Sequence, residues 1–260
     1  PLVVSAIGSD LLVDYPSSIF HRAQIRYALK HADLVTTDAA LLTRAVISIG
    51  VPAYRIAEAV FGIEETVFHP DPEPAERSGH PRRIVSTRNL NEIYDIETLI
   101  EAFPPVLERS PAELVICGDG PARDGLELTA SSLGIEKNVT FRGRLTPEAI
   151  AAELKSADLY VSTSSSDSTS VSLLEAMACG VPPVVTDIEA NREWITDGEN
   201  GLLFPVGDSK TLAEAVIRML TDEALAAGAR EINLRLIREK ALWKDNMQKI
   251  ETEFTRLAAL

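Results

Sequence analysis

The chain has 260 residues, 45% of them hydrophobic and 25% charged, so it carries enough apolar material for two folded cores and is not a disordered polymer. A formal net charge of −14 argues against sequence-independent binding to a nucleic acid backbone, which takes a basic surface. The two cysteines, Cys117 and Cys179, lie among small or apolar residues, which argues against a disulfide framework and fits a reducing, cytoplasmic setting.

The first run, PLVVSAIG, is apolar without a basic leader and reads as a buried strand over residues 2–6 rather than a signal peptide. No apolar run reaches the roughly 18 residues that cross a membrane. In HRAQIRYALKH, Arg22, Arg26 and Lys30 recur every fourth residue on one helix face. That stripe reads as a solvated face, and its functional reading is peripheral contact with anionic lipid or a lipid-diphosphate acceptor. A strand follows at 34–37, then a helical run. Around residues 70–83, PDPEPAERSGHPRR is dense in proline and charge and has no periodicity, as in a linker.

Beyond it, apolar β-branched runs at 84–87, 114–117, 139–142, 159–163 and 183–186 alternate with segments of about 3.6-residue apolar spacing: IETLIEAFPPVLE, ARDGLELTASSLG, PEAIAAELKSA and SKTLAEAVIRML. This alternation predicts an α/β chain of βαβ units, with parallel sheets covered by helices on both faces. Left of the linker there is material for two or three strands and two helices, the second half of a Rossmann-like unit. To its right there is material for six strands and a complete doubly wound unit. From residue 222 the tail is helical, with apolar positions at Leu234, Ile237, Leu242, Met247, Ile250, Phe254 and Leu257.

Two stretches carry candidate chemistry. In SSSDSTSVSLLEAMACG, residues 164–180, seven hydroxyl residues and one acid precede a helix expected to start at 168–170 and to stop at Gly180. In open α/β sheets, ligands sit beyond the carboxyl ends of the strands, at helix N-termini. The amides of Thr169, Ser170, Val171 and Ser172 lack intrahelical partners there and form an anion site suited to a diphosphate. Glu175, further along the helix, offers two carboxylate oxygens to vicinal ribose hydroxyls, and Asp167 stands where it meets a sugar on the diphosphate. A serine-rich helix cap with a surface glutamate is the other reading, and spacing alone leaves both open. In CGDGP, residues 117–121, Gly118 and Gly120 permit a tight turn and close backbone approach to a ligand, although strand-to-helix turns use the same residues for geometry alone.

The order of IVSTRNL, IETLIEAFPPV, ELVICGDGP, LGIEKNVTFRGRL, LKSADLYVSTSSSD, SVSLLEAMACGVPPVVTDIEANREWITDGENGLLFPVGD and TLAEAV, from residue 84 to 220, resembles the donor-binding domain of retaining GT-B glycosyltransferases, the group 1 family with an acid–seven residues–Glu motif. ADLVTTDAALLTRAVISIGVP and FGIEETVFHP resemble the end of that family's acceptor-side domain, and Trp243 with the final helix its closing segment. The resemblance implies a GT-B type α/β fold with a complete C-terminal Rossmann-like domain and a partial N-terminal one. Residues 1–75 are then the partial acceptor-side domain, 76–82 the linker and 83–240 the nucleotide-sugar-binding domain, with 241–260 a helix crossing back. It also implies that Glu175 holds the ribose, Asp167 binds the donor sugar, Arg88 neutralises the diphosphate, and Gly143, Arg144 and Leu145 frame the base.

Departures accompany the match. Asp167 stands where the family usually has Glu, one methylene longer. The second cation expected after Arg88 is missing, and NLNEIYD offers Ile93 and Tyr94 instead. Ile7-Gly8-Ser9-Asp10 replaces the commoner His-Gly, and the family's first Gly-rich loop would lie upstream of Pro1. The expected activity is retaining transfer of a sugar from a UDP- or GDP-type donor to a saccharide or lipid-linked hydroxyl acceptor, without metal or cofactor. His21, His31, His69 and His80 lack metal-ligand spacing. The alternatives are a nucleotide-sugar-binding module or split-enzyme subunit completed by self-association or a partner chain, and a GT-B epimerase.

Overall fold

The computed structural model describes residues 1–8, 10–15, 18–71 and 80–259; Ser9 and most of the expected linker lie outside the described residues. All nine strands among them pair in parallel, in two sheets. The first sheet has the order β1 (Val3–Ala6), β2 (Leu34–Thr37), β3 (Ile56–Glu58). Helices α1 (Ile19–His31) and α2 (Ala40–Ile49) make its crossovers, and one wide π-helical turn, Asp10–Asp14, precedes α1.

The second sheet contains β4 (Arg82–Ser86), β5 (Ala112–Ile116), β6 (Val139–Phe141), β7 (Leu159–Ser162), β8 (Pro183–Thr186) and β9 (Leu202–Phe204). Its order is β6-β5-β4-β7-β8-β9, so the chain direction across the sheet reverses between β4 and β7. A ligand crevice of a doubly wound sheet opens at such a reversal. The helices between and after these strands are α3 (Ile96–Glu101), α4 (Phe103–Arg109), α5 (Arg123–Ser132), α6 (Pro147–Lys155), α7 (Val171–Ala178), α8 (Glu189–Arg192), α9 (Ser209–Thr221), α10 (Glu223–Lys240) and α11 (Trp243–Ala258).

The strands are apolar throughout because both sheet faces are covered. In β4, Ile84 packs in one core with Leu99, Phe103 and Phe204, while Val85 packs in the opposite core with Tyr160, Leu174 and Met177. IETLIEAFPPVLE, expected as one helix, is two, with a break at Ala102. Pro104 and Pro105 have no N–H for the carbonyls one turn back, so the chain restarts with proline in the first turn of α4. Strands β3 and β9, three residues each, have no recognisable periodicity in the sequence.

The two sheets are joined by packing and hydrogen bonds. Ala190 of α8 enters the core of the three-stranded sheet, while Ile63 and Phe68 enter that of the six-stranded one. The Ile63 amide donates to the Ala241 carbonyl at 2.8 Å and the Trp243 amide to the Ile63 carbonyl at 3.0 Å, which leads the chain into α11 beside β3. A groove between these elements is lined by Ala57, Glu58, Lys249, Ile250, Thr252 and Glu253. Ala39 provides no side-chain cap for α2; Glu193 supplies it from the other sheet, accepting the Ala40 and Leu41 amides at 3.1 and 2.8 Å. Among the described residues no helix is long and apolar enough to cross a membrane.

Candidate functional site

The loops leaving β4 and β7 meet at the reversal of strand order. Arg88 comes from the first, and the stretch from Thr163 to the start of α7 from the second. Arg88 is buried and supported by four residues. Its Nη2 donates to Asp167 Oδ2 at 2.6 Å, its Nη1 to Ser170 Oγ at 2.9 Å and Ser172 Oγ at 3.4 Å, and its guanidinium carbon lies 4.2 Å from the centre of the Tyr94 ring. Tyr94 occupies the region where a second cation was expected; it presents a π-face to Arg88 instead. In the sequence Tyr94 stands out only as a departure from the family pattern.

Ser170 caps α7, its Oγ accepting the Leu173 amide at 3.3 Å. The Thr169 amide turns toward the Asp38 carboxylate, while those of residues 170–172 form no hydrogen bond among the described residues. They remain at the positive end of the helix dipole, as the anion-site reading requires.

The hydroxyls have a different use. Thr163 Oγ1 donates to the Tyr94 carbonyl at 2.7 Å and Ser165 Oγ to the Ile93 carbonyl at 3.1 Å, tying this loop to the one that carries Tyr94. Ser168 and Thr169 reach across to Asp38 of the other sheet, at 3.0 and 2.7 Å. The dense run of serines therefore mostly holds the loop in place, and the backbone amides are what it leaves open.

Asp167 has both oxygens engaged, since Oδ1 accepts the Ser168 amide at 3.0 Å while Oδ2 takes Arg88. Glu175 is half-buried, and no hydrogen bond holds its carboxylate among the described residues. Desolvation pushes its pKa up to about 7, with the Arg88 charge opposing. Gly118 faces protein: a Cβ there would lie 2.1 Å from the Arg88 carbonyl oxygen, and one on Gly120 2.5 Å from that of Leu90. The CGDGP turn is thus a bed for the Arg88 loop. Gly143, with φ of +69°, Arg144, exposed, and Leu145, half-buried, follow β6, two strands away from β4. Arg22, Arg26 and Lys30 are exposed on α1, remote in sequence from these loops.

A cavity of about 140 Å³ separates the sheets at this point, lined by Ile7 and Gly8 after β1 and by Tyr94, Ser166, Asp167 and Ser168. A larger one, about 410 Å³, opens at the amino ends of β4, β7 and β8 beside Arg82, Asp158 and Pro182. It touches none of the residues just described, and chemistry places the candidate site at the smaller one. Burial pushes the thiols of Cys117 and Cys179 up to about 12, which leaves both inert. Among the described residues no three His, Cys, Asp or Glu side chains gather as a metal would need.

Residues 70–235 match the model of the family described as glycosyl transferases group 1. The chain is 29% identical over 206 residues to N-acetyl-alpha-D-glucosaminyl L-malate synthase of Bacillus anthracis, covering 77% of this chain and 54% of that protein. It is 35% identical over 144 residues to phosphatidyl-myo-inositol mannosyltransferase of Mycobacterium leprae, covering 53% and 38%. The crystal structure of Anabaena Alr3699/HepE in complex with UDP and glucose superposes with a TM-score of 0.84 over 98% of this chain and 71% of that one, at 22% identity, a likeness of fold. The chain spans about half the length or less of these two curated relatives.

Proposed function

The chain belongs to the glycosyl transferases group 1 family, and on that premise we propose that it binds a nucleotide-diphosphate sugar of UDP or GDP type where β4 and β7 part, and transfers the sugar to a hydroxyl acceptor with retention. The observation that carries this reading is Arg88, fixed over the start of α7 beside the three amides of residues 170–172, which have no partner among the described residues. The diphosphate lies on those amides and Arg88, the ribose on Glu175, the base toward Gly143, Arg144 and Leu145, and the sugar in the cavity beside Asp167. As the glycosidic bond breaks, charge grows on the departing phosphate, and preorganised amides with one buried guanidinium stabilise it. In this reading no metal or cofactor takes part, retention follows from attack on the face the diphosphate leaves, and the reaction is cytoplasmic. UDP in the HepE complexes is the nucleotide to try first.

The test is calorimetric titration with UDP and, separately, GDP. Glu175→Ala is expected to weaken the nucleotide that binds by about 1–3 kcal/mol through lost charge-assisted hydrogen bonds. Ribose hydroxyls donate to an ionised carboxylate and favour that form. Because the Glu175 pKa stands at about 7 in the free protein, its ionisation should favour binding between pH 6 and 8, and this contribution should be absent from the mutant's pH profile. Equal affinities for wild type and Glu175→Ala would remove the ribose assignment.

A second reading is a binding subunit completed by another chain. Leu2 and Ile7 beside β1, and Ile19, Phe20 and Tyr27 on α1, are exposed apolar residues close together in sequence. Turnover by the purified 260-residue monomer would rule that reading out; a stable complex isolated from the native host, with turnover only there, would replace the first.

A further inference from the structure

Asp38, between β2 and α2, is 4% exposed although it carries a carboxyl group. Its Oδ2 lies 3.0 Å from Ser168 Oγ, its carbonyl accepts the Thr169 hydroxyl at 2.7 Å, and its Oδ1 is enclosed, with the Asp38 and Thr169 amides approaching the carboxyl but making no well-aligned hydrogen bond to Oδ1. Ser168 Oγ also lies 3.3 Å from the Ile7 carbonyl oxygen. This approach needs a glycine next to Ile7: Gly8 has φ of +119°, and a Cβ there would stand 3.0 Å from Ser168 Oγ. A serine hydroxyl has one proton, and here it faces two acceptors of the other sheet. With Asp38 ionised, one of these two acceptors goes unsatisfied and a charge is enclosed. With a proton on Oδ2, Asp38 donates to Ser168 Oγ, which donates to the Ile7 carbonyl, and both contacts become hydrogen bonds.

We propose that Asp38 is a proton-carrying positioning residue that holds the Asp167–Thr169 segment against the three-stranded sheet and so fixes the start of α7. The consequence for ligand binding rests on the donor-site reading above; the proton does not.

The charged surroundings agree. Burial raises the Asp38 pKa from 3.8 to about 6, the hydrogen bonds from Ser168 and the backbone opposing and Asp167 adding to it. The other charged groups on the elements packed here are Arg88, bound to Asp167; Glu193, on the α2 amides; Arg44, paired with Glu189 and Glu193; and Asp10, which accepts the Gly8 amide. Because the folded-state value is raised, the contribution of this contact is full below pH 3.8 and is lost as pH rises through about 6.

Asp38→Asn replaces the protonated acid by a group that donates at every pH, and Asp38→Ala removes the contact. Thermal unfolding without ligand should show Asp38→Asn more stable than wild type by a margin that grows from pH 5 to pH 8, with Asp38→Ala below Asp38→Asn throughout. A wild-type-to-Asn difference that stays constant from pH 5 to 8 overturns the proton. In UDP titrations the same pair should agree near pH 5 and differ at least threefold near pH 8, the Asn variant binding more tightly. Glu175 is common to both chains, so its own titration cancels. Melts that respond to pH with identical UDP affinities at every pH overturn the positioning role. Failure of all three proteins to bind UDP or GDP overturns the donor-site reading instead, while the melts still decide the proton.

Discussion

Arg88→Ala is expected to destabilise the fold by about 3–5 kcal/mol and to abolish measurable nucleotide binding, the largest effect of any single side-chain removal at this site. The reason is the pairing of burial with charge. The side chains of Arg88 and Asp167 are 8% and 17% exposed, and removing the cation leaves the carboxylate enclosed with only the Ser168 amide to satisfy it. The Ser170 and Ser172 hydroxyls lose a donor in the same step. Urea unfolding of wild type, Arg88→Ala and Arg88→Ala/Asp167→Asn separates the two roles. The double variant removes the orphaned charge and should recover much of the stability, while nucleotide binding stays lost because no cation faces the diphosphate. A single variant within about 1 kcal/mol of wild type would mean that the pair is solvated and that Arg88 is free to swing, contrary to the geometry.

What the sequence made legible follows from how local each signal is. The parallel order could be read because β4, β5, β7 and β8 are apolar on both faces, a property of five or six neighbouring residues. Ile56–Glu58 and Leu202–Phe204 are too short for any period, and only pairing with β2 and β8 makes them strands. The hydroxyl run announced a helix start correctly, but its partners lie far along the chain: Ser165 reaches Ile93 across 72 residues and Thr169 reaches Asp38 across 131. That separation is why the structural use of these hydroxyls cannot be read from the stretch itself. Asp38 in TTDAA looks like an ordinary helix-start acid; its enclosure appears only when the second sheet closes over it. The cap of α2 was equally hidden, because Glu193 reaches it from 152 and 153 residues away. Tyr94 seemed a missing cation, and its use as a support for Arg88 depends on a ring distance that spacing does not encode.

The other large effect concerns a residue with no side chain. Gly118→Ala is expected to cost about 3 kcal/mol and to weaken nucleotide binding at least tenfold, although position 118 offers no group to a ligand. A methyl there would lie 2.1 Å from the Arg88 carbonyl oxygen and 2.9 Å from its carbon, so backbone, not the tip of a flexible side chain, has to move. That backbone is anchored on both sides. The Cys117 amide donates to the Ser86 carbonyl at 2.8 Å, the Leu90 amide to the Asp119 carbonyl at 3.1 Å, and Gly120 is equally tight against Leu90. Relief must come by shifting the loop after β4, and Arg88 shifts with it, away from Asp167 and Ser170. Gly125→Ala is the control, since nothing lies within 4 Å of its Cβ position and it sits in α5, where alanine should stabilise by about 0.5–1 kcal/mol. Comparing the two variants by urea unfolding and by UDP or GDP titration decides between two uses of the CGDGP turn. If Gly118→Ala is well folded and loses only binding, the glycine gives a ligand room; if stability and binding fall together, it gives room to Arg88, and the anion site depends on the packing of two strand ends beneath it.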